Sequence, residues 1–121
     1  MKFVCIDMDE HGHSFFRDTD LPQTGTPQRI SSKNQDVLYW QMTVSQPGHF
    51  VDFKPTSDLK FVSVFSGQMD ITVSNGERRS FVRGDMLTMW DTKGQGHMTN
   101  FVGLEPCQVL HVALKDKGEF K

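Results

Sequence analysis

A single histidine follows a double-glycine turn in RGDMLTMWDTKGQGHMTN, the stretch from Arg83 to Asn100. The imidazole of His97 comes directly after Gly94-Gln95-Gly96, and glycines at such a turn allow the backbone to approach a ligand closely. Histidine titrates near physiological pH and also binds metals. Three roles are therefore open for His97: metal ligand, acid–base group, or hydrogen-bonded side chain inside a strand.

The remaining histidines and the two tryptophans have less specific contexts. His111 lies in the apolar run VLHVAL, which favours a hydrogen-bonded core histidine. His11 and His13 flank a glycine in a polar stretch, and a solvated loop is favoured there over a metal site. Trp40 and Trp90 supply apolar surface, either for the core or for the wall of a ligand pocket.

Short β-type runs separated by turn residues must position these side chains, because helical periodicity is nearly absent. The Asn75-Gly76 pair is a hairpin signal. The predicted strands are Phe3–Met8, Val37–Val44, His49–Lys54, Lys60–Ser66, Gln68–Ser74, Arg79–Val82, Met86–Trp90, His97–Val102 and Val109–Leu114. Such spacing predicts an all-β barrel or sandwich over residues 37–114. The N-terminal arm, residues 1–36, is expected to pack on the barrel or on a partner. The charged tail, residues 115–121, is expected to be loose.

Composition limits the classes of partner. A chain of 121 residues is one domain, and no apolar run is long enough to span a membrane. The net charge of -2 does not favour nucleic-acid binding. No secretory signal is visible in MKFVCIDMDE, and without one Cys5 and Cys107 are expected as buried thiols. We therefore expect a cytoplasmic protein without nucleic-acid or membrane partners.

Two stretches resemble the paired motifs of the cupin superfamily. They are GHFVDFKPTSDLKFVSVFSG, from Gly48 to Gly67, and GDMLTMWDTKGQGHMTN, from Gly84 to Asn100. The strings SNGERRSFVRGDMLTMWDTKGQGH and HGHSFFRD look like a family of small, uncharacterised, single-domain cupins. The resemblance implies a double-stranded β-helix, or jelly-roll barrel. It also implies a homodimer, because small cupins commonly pair sheet edges and open edges need covering.

The resemblance also shows where this chain departs from the metal-binding pattern. The motif-one ligand positions fall on Lys54, Thr56 and Lys60, so His97 is the only motif ligand present. A divalent metal needs several N, O or S donors, and two ammonium groups would repel it. No cofactor is therefore expected. The residues that remain to complete a metal site from other strands are His13, His49, His111 and Asp52.

Strand alternation predicts which side chains face the interior. If Lys54 and Lys60 point inward like the ligands they replace, then so do Asp52, Val62 and Val64. The opposite face then carries Phe53, Phe61 and Phe65. Asp52 would pair a buried lysine, whereas lysines at the barrel mouth would reach water without a partner. Both depths remain open.

The leading functional prediction is a cupin-fold protein that binds a small organic ligand, anionic or carbonyl-bearing, in the barrel. Its predicted ligand-binding residues are Asp52, Lys54, Lys60, Val62, His97, Trp90 and Trp40. The alternative is a metal-independent isomerase, epimerase or lyase that uses His97 with Lys54 or Lys60 as acid–base partners. A metal-dependent, dioxygenase-type cupin is the third possibility.

Overall fold

Alternating apolar residues and glycine turns organise the chain into twelve strands and no helix, in a computed structural model that describes residues 1–121. No helix long and apolar enough to cross a membrane is present. The strands are β1 (Lys2–Met8), β2 (Ser14–Asp20), β3 (Thr24–Thr26), β4 (Arg29–Ser31), β5 (Val37–Ser45), β6 (Phe50–Lys54), β7 (Lys60–Ser66), β8 (Gln68–Thr72), β9 (Arg78–Val82), β10 (Met86–Met89), β11 (His97–Val102) and β12 (Cys107–Leu114).

Two larger sheets and a small hairpin account for all the strands. The six-stranded sheet has the order β2-β1-β10-β7-β12-β5, and the four-stranded sheet has the order β6-β11-β8-β9. Only β1 and β10 pair in parallel. A cluster of buried apolar side chains from both sheets forms the main core, including Ile6, Val62, Val64, Ile71 and Val109. The sheets therefore enclose one interior, as a sandwich or barrel requires.

The structure places much of the predicted N-terminal arm, residues 1–36, within the six-stranded sheet. Strands β1 and β2 pair with each other, and β1 also pairs with β10, so residues 2–20 belong to the six-stranded sheet. The arm is confined to residues 21–36 between β2 and β5, which lie at opposite edges of that sheet. Its β3–β4 hairpin pairs only with itself, and all six strand residues are exposed.

The C-terminal tail, predicted as residues 115–121, contacts the six-stranded sheet through Phe120. The ring of Phe120 packs against Phe3, Phe61 and Trp90, with centroid distances of 5.5, 6.4 and 5.6 Å. The backbone N–H of Lys121 donates to the carbonyl of Asp20 at 3.0 Å. The aromatic side chain ties the charged tail to the outer face of the six-stranded sheet, where it buries apolar surface that β1 and β7 leave open.

Candidate functional site

A cavity of about 350 Å³ lies in the barrel between the two sheets. It contains no carboxylate among its lining residues, which bring three histidines and two lysines together with hydroxyl and apolar side chains. The lining residues are Thr43, Ser45, His49, Val51, Lys54, Pro55, Thr56, Ser57, Lys60, Met69, Met89, His97, Thr99, Phe101 and His111. The predicted candidates His97, Lys54 and Lys60 thus share one cavity.

The two lysines lie at different depths. Lys54 ends β6 and is exposed, so its ammonium lies at the mouth of the cavity. Lys60 begins β7 and is partly buried. Burial lowers the pKa of Lys60, and the positive charge of Lys54 lowers it further, while Asp58 acts in the opposite direction. Of the two depths considered for the lysines, Lys54 therefore lies at the mouth of the cavity and Lys60 lies deeper within it.

Asp52 does not face the cavity, contrary to the alternation argument. Strand β6 contains a bulge: His97 pairs with Lys54, whereas Thr99 pairs with Val51, so β6 has one extra residue over this span. As a result Val51 and Lys54 both line the cavity. Asp52 is exposed, and its carboxylate accepts a hydrogen bond from the backbone N–H of Phe53 at 2.8 Å.

A buried carboxylate holds the imidazole of His97. The Nδ1–H of His97 donates to Asp91 Oδ2 at 2.6 Å, and Asp91 is fully buried. Because Nδ1 is engaged, Nε2 is the nitrogen left for the cavity. Asp91 follows β10, and its backbone carbonyl accepts a hydrogen bond from Thr56 N–H at 3.1 Å. Sequence reasoning missed Asp91, although it lies in the quoted stretch six residues before His97.

The glycines before His97 serve backbone packing. Gly94 and Gly96 have φ of 76° and 73°. A Cβ on Gly94 would overlap the backbone of Gly12, and a Cβ on Gly96 would overlap the backbone of Lys54 and Pro55. The Ser14 hydroxyl also donates to the carbonyl of Gly96 at 2.6 Å. The turn is therefore in close contact with two other segments of the chain. These contacts fix the residue at which β11 begins and the direction in which the side chain of His97 points.

His111, which the sequence predicted as a hydrogen-bonded core histidine, also lines the cavity. Its Nε2 shares a hydrogen bond of 3.0 Å with the hydroxyl of Thr43, while Nδ1 is buried without a partner. Burial lowers its pKa to about 4, with a further contribution from Lys60, so the ring is neutral at physiological pH.

The histidines of the N-terminal loop lie outside the cavity, whereas His49 lines it. The ring of His49 stacks on Phe101, with the centroids 5.6 Å apart. His11 and His13 have side chains that are 73% and 64% exposed, in the loop between β1 and β2. Neither of these two loop residues belongs to the candidate site.

Besides Asp52, three more residues predicted to bind a ligand do not line the cavity. Val62 is fully buried in the main core. Trp90 is 1% exposed and packs with Cys5 and Leu114 on the outer face of the sheet. Trp40 lies on β5 and is 69% exposed. Apolar character alone cannot distinguish these three environments, because core, outer face and pocket wall all use the same residue types.

The cavity does not fit a metal of the kind that cupin motifs bind. Lys54, Thr56 and Lys60 offer no imidazole or carboxylate at the motif-one positions. No group of three or more His, Cys, Asp or Glu residues is arranged to hold an ion. The ammonium groups of the two lysines oppose a dication in the same space. These side chains therefore do not support metal-dependent oxygenase chemistry in this cavity.

No protein-family model and no curated protein matches the sequence. Among solved structures, the chain is similar to an uncharacterised conserved protein with a double-stranded β-helix domain from Klebsiella pneumoniae, at TM-score 0.53 and 19% identity over 73% of this chain and 81% of that one. A conserved protein of unknown function from Streptococcus pyogenes gives TM-score 0.45 and 17% identity, over 72% and 70% of the two chains.

A third match is a proposed mannose-6-phosphate isomerase from Ralstonia eutropha, with TM-score 0.40 and 17% identity over 96% and 86% of the two chains. At these two lower TM-scores, the similarity does not indicate a shared fold or activity. The similarity to the double-stranded β-helix domain, together with the all-β sheets and their order, confirms the fold that the two motifs predicted. This chain has the cupin fold, a double-stranded β-helix.

Proposed function

We propose that this protein binds a small organic anion inside the barrel. The observation that carries the proposal is the composition of the cavity, which has two lysines and three histidines among its lining residues and no carboxylate. The nearby carboxylate of Asp91 is already engaged by His97. A negatively charged ligand would therefore relieve the repulsion between Lys54 and Lys60 and gain charge-assisted hydrogen bonds.

The lining also indicates the size and character of the ligand. Met69, Met89, Val51 and Phe101 supply apolar and polarisable wall, and such walls suit an apolar body with few polar groups. A volume of about 350 Å³ lies at the small end of ligand pockets. The cavity thus suits a short carboxylic acid that also carries a hydroxyl or carbonyl group, which the hydroxyl side chains of the lining can meet.

Calorimetric titration tests the proposal with a panel of short carboxylates, with and without a 2-oxo or hydroxy group, and with the matching neutral amides. We expect saturable binding of a carboxylate and weak or absent binding of its amide. Lys60→Gln should weaken carboxylate binding. Lys115→Gln removes a lysine that is exposed and outside the cavity, and should leave the affinity unchanged. Equal affinity for acid and amide would contradict the proposal.

A second candidate function is supported by the contact between Asp91 and His97. A carboxylate that orients a histidine is the arrangement used to set a general acid–base group, and Lys60 has a lowered pKa in the same cavity. This arrangement suits a metal-independent isomerase, epimerase or lyase. His97 would accept or deliver the proton, with Lys54 or Lys60 as its partner.

One substitution separates the two candidates. If the protein is a binder, His97→Ala should weaken carboxylate binding by about 1–3 kcal/mol with the fold intact, because a ligand group loses its partner. If the protein is an enzyme, the same change should reduce turnover by roughly 10²–10⁴-fold. Incubating each carboxylate of the panel in deuterated water and following deuterium incorporation by NMR would detect proton transfer without knowledge of the product.

The cytoplasm remains the proposed compartment. Cys5 and Cys107 are both free and buried. Burial raises the pKa of the Cys5 thiol to about 11 and also raises the pKa of Cys107. Buried, unreactive thiols are compatible with a reducing environment, where unpaired cysteines persist. Fractionation of the source cells with an antibody against the protein tests this assignment.

A further inference from the structure

Lys60 places a partly buried amine in the cavity without a paired carboxylate. No ion pair of the structure involves its ammonium group. Asp58, the one carboxylate that raises its pKa, accepts a hydrogen bond from the Tyr39 hydroxyl at 2.6 Å instead. A lysine buried only for structural reasons is normally paired, because an unpaired charge is costly to remove from water. The lack of a pair therefore favours a chemical role for the amine itself.

The backbone that carries this amine is held on both sides. Strand β7 lies between β10 and β12 in the six-stranded sheet, and Lys60 pairs with Met89 on one side and with Ala113 on the other. The charge of Lys60 contributes to lowering the pKa of His111, so its side chain extends toward the interior of the cavity. A group on such a strand is positioned more precisely than a group on a loop.

Lys54 alters the chemistry of Lys60 from the mouth of the cavity. Burial lowers the pKa of Lys60 most, and the positive charge of Lys54 acts in the same direction. Desolvation and a neighbouring cation are the two devices that make a lysine amine nucleophilic near neutral pH. Only an unprotonated amine has a lone pair to donate. Lys60, and not the exposed Lys54, therefore has the environment of a nucleophile.

We propose that Lys60 forms an imine with a 2-oxo carboxylic acid bound in the cavity. This inference rests on the proposed binding of a small organic anion. A 2-oxo acid carries its negative charge and its electrophilic carbon on adjacent carbons, and the cavity offers two amines at different depths. Lys54 at the mouth attracts the carboxylate, and the deeper amine of Lys60 attacks the 2-oxo carbon.

The step is a condensation, which needs no oxidant or reductant. The lone pair of Lys60 Nζ forms a bond to the 2-oxo carbon, and the π electrons of the C=O bond move to its oxygen. Nε2 of His97, in the same cavity, carries the two amine protons in turn to that oxygen. The C–O bond breaks, water leaves, and the nitrogen lone pair forms the C=N bond. Once protonated from solvent, the imine withdraws electrons from the neighbouring carbons, as a lyase or isomerase of 2-oxo acids requires.

Borohydride trapping tests the proposal on the wild-type protein, with pyruvate as the probe. Borohydride delivers a hydride to the C=N bond and makes the link permanent. The intact chain should gain the mass of the acid less one water plus two hydrogens. Peptide mapping should place this adduct on Lys60 and not on the other seven lysines. An adduct on Lys54, or one spread evenly over the exposed lysines, would overturn the proposal.

Lactate and pyruvamide separate the imine from anion binding. Lactate has the carboxylate but no oxo carbon, so it should bind and leave no adduct. Pyruvamide has the oxo carbon but no charge, so it should give little adduct. Saturable lactate binding without a pyruvate adduct would overturn the imine and leave the proposed anion binding intact. Absence of binding by either acid would overturn both.

Lys60→Arg keeps the positive charge but removes the primary amine. This variant should still bind lactate, and the pyruvate adduct should be lost. Lys115→Arg is the matched control, because Lys115 is exposed and lies outside the cavity, and its adduct should be unchanged. A folded Lys60→Arg variant that gives the wild-type adduct would contradict the assignment.

The pH dependence of trapping tests the role of Lys54. Lys54→Gln removes a positive charge that lowers the pKa of Lys60, so the amine loses its proton at higher pH. The rate of adduct formation at saturating pyruvate should therefore rise at a higher pH than in the wild type. The other titratable groups around the amine are present in both proteins, so the difference isolates Lys54: Asp58, Asp91, His49, His97 and His111. An unchanged profile would overturn the activation of Lys60 by Lys54.

Discussion

Asp91 Oδ2 lies 2.6 Å from His97 Nδ1, and both side chains are buried. The second carboxylate oxygen, Asp91 Oδ1, has no hydrogen-bond partner. The carboxylate therefore has one visible task, which is to hold the imidazole with Nδ1 protonated and Nε2 turned to the cavity. Asp91 acts on a ligand only through His97, so it is a positioning residue.

The tautomer of His97 should depend on Asp91. In the neutral ring of the wild-type protein we expect Nδ1–H, because Asp91 accepts that proton. Asp91→Leu removes the acceptor at similar volume and should shift the ring toward Nε2–H, with weaker carboxylate binding. Asp91→Asn retains an oxygen acceptor and should restore Nδ1–H. Histidine ¹⁵N NMR checks this, and the same tautomer in the Leu variant would refute the positioning role.

Protein stability should fall in mildly acidic solution because of His111. Burial lowers its pKa from 6.5 to about 4, so between these values the unfolded chain binds a proton that the folded chain does not. This contribution is fully present above pH 6.5 and is lost as the pH falls toward 4, by at most about 3 kcal/mol.

Urea unfolding of wild type and His111→Gln over this pH range isolates the effect of His111. Glutamine still reaches Thr43 with a hydrogen bond but does not titrate. The difference in unfolding free energy between the two proteins should change between pH 6.5 and 4. Parallel pH profiles would show that His111 is accessible to protons in the folded state.

The protein should carry far less than one equivalent of transition metal after expression in ordinary medium. The motif-one positions hold Lys54, Thr56 and Lys60, which supply no suitable donors. Elemental analysis checks this, and near-stoichiometric metal that disappears in His97→Ala would overturn it. Conversely, the triple change Lys54→His, Thr56→His, Lys60→Glu should raise metal affinity, because His97 then joins two imidazoles and a carboxylate.

Gly96→Ala should destabilise the fold more than Gly76→Ala. Both glycines have positive φ, 73° and 87°, so alanine pays a similar conformational cost of about 1–2 kcal/mol at each. A Cβ at Gly76 meets open space, whereas one at Gly96 overlaps the backbone of Lys54 and Pro55. The extra cost should be about 1–3 kcal/mol, measured by urea unfolding. Equal costs would mean that the turn and β6 are not in tight contact.

The periodic part of the fold was predictable from the sequence. All nine predicted strands are present, because alternation and glycine turns mark them locally. Strand β2, Ser14–Asp20, was not predicted from the sequence, because SFFRDTD combines charges with weak alternation. The packing of Phe120 was not predicted either, since a single aromatic residue in a charged tail gives no periodic signal.

The site was predictable only in part. Motif position alone placed Lys54, Lys60 and His97 in one cavity, but the β6 bulge turned Asp52 outward, and a bulge has no signature in alternation. His111 enters the site through the pairing of β12 with β5 and β7, whereas Asp91 reaches His97 across the turn between β10 and β11. Trp40 and Trp90 have the same chemistry, but Trp90 packs with Cys5, Leu114 and Phe120, whereas Trp40 lies exposed on the edge strand β5.

The most direct test of anion binding in the barrel is a titration followed by histidine side-chain ¹H–¹⁵N NMR. The chain contains its own controls, because His97, His111 and His49 line the cavity while His11 and His13 lie in the exposed loop. A short 2-oxo or hydroxy carboxylate should shift the cavity resonances saturably and leave those of His11 and His13 in place. Shifts confined to His11 and His13, or none with any carboxylate of the panel, would contradict the account.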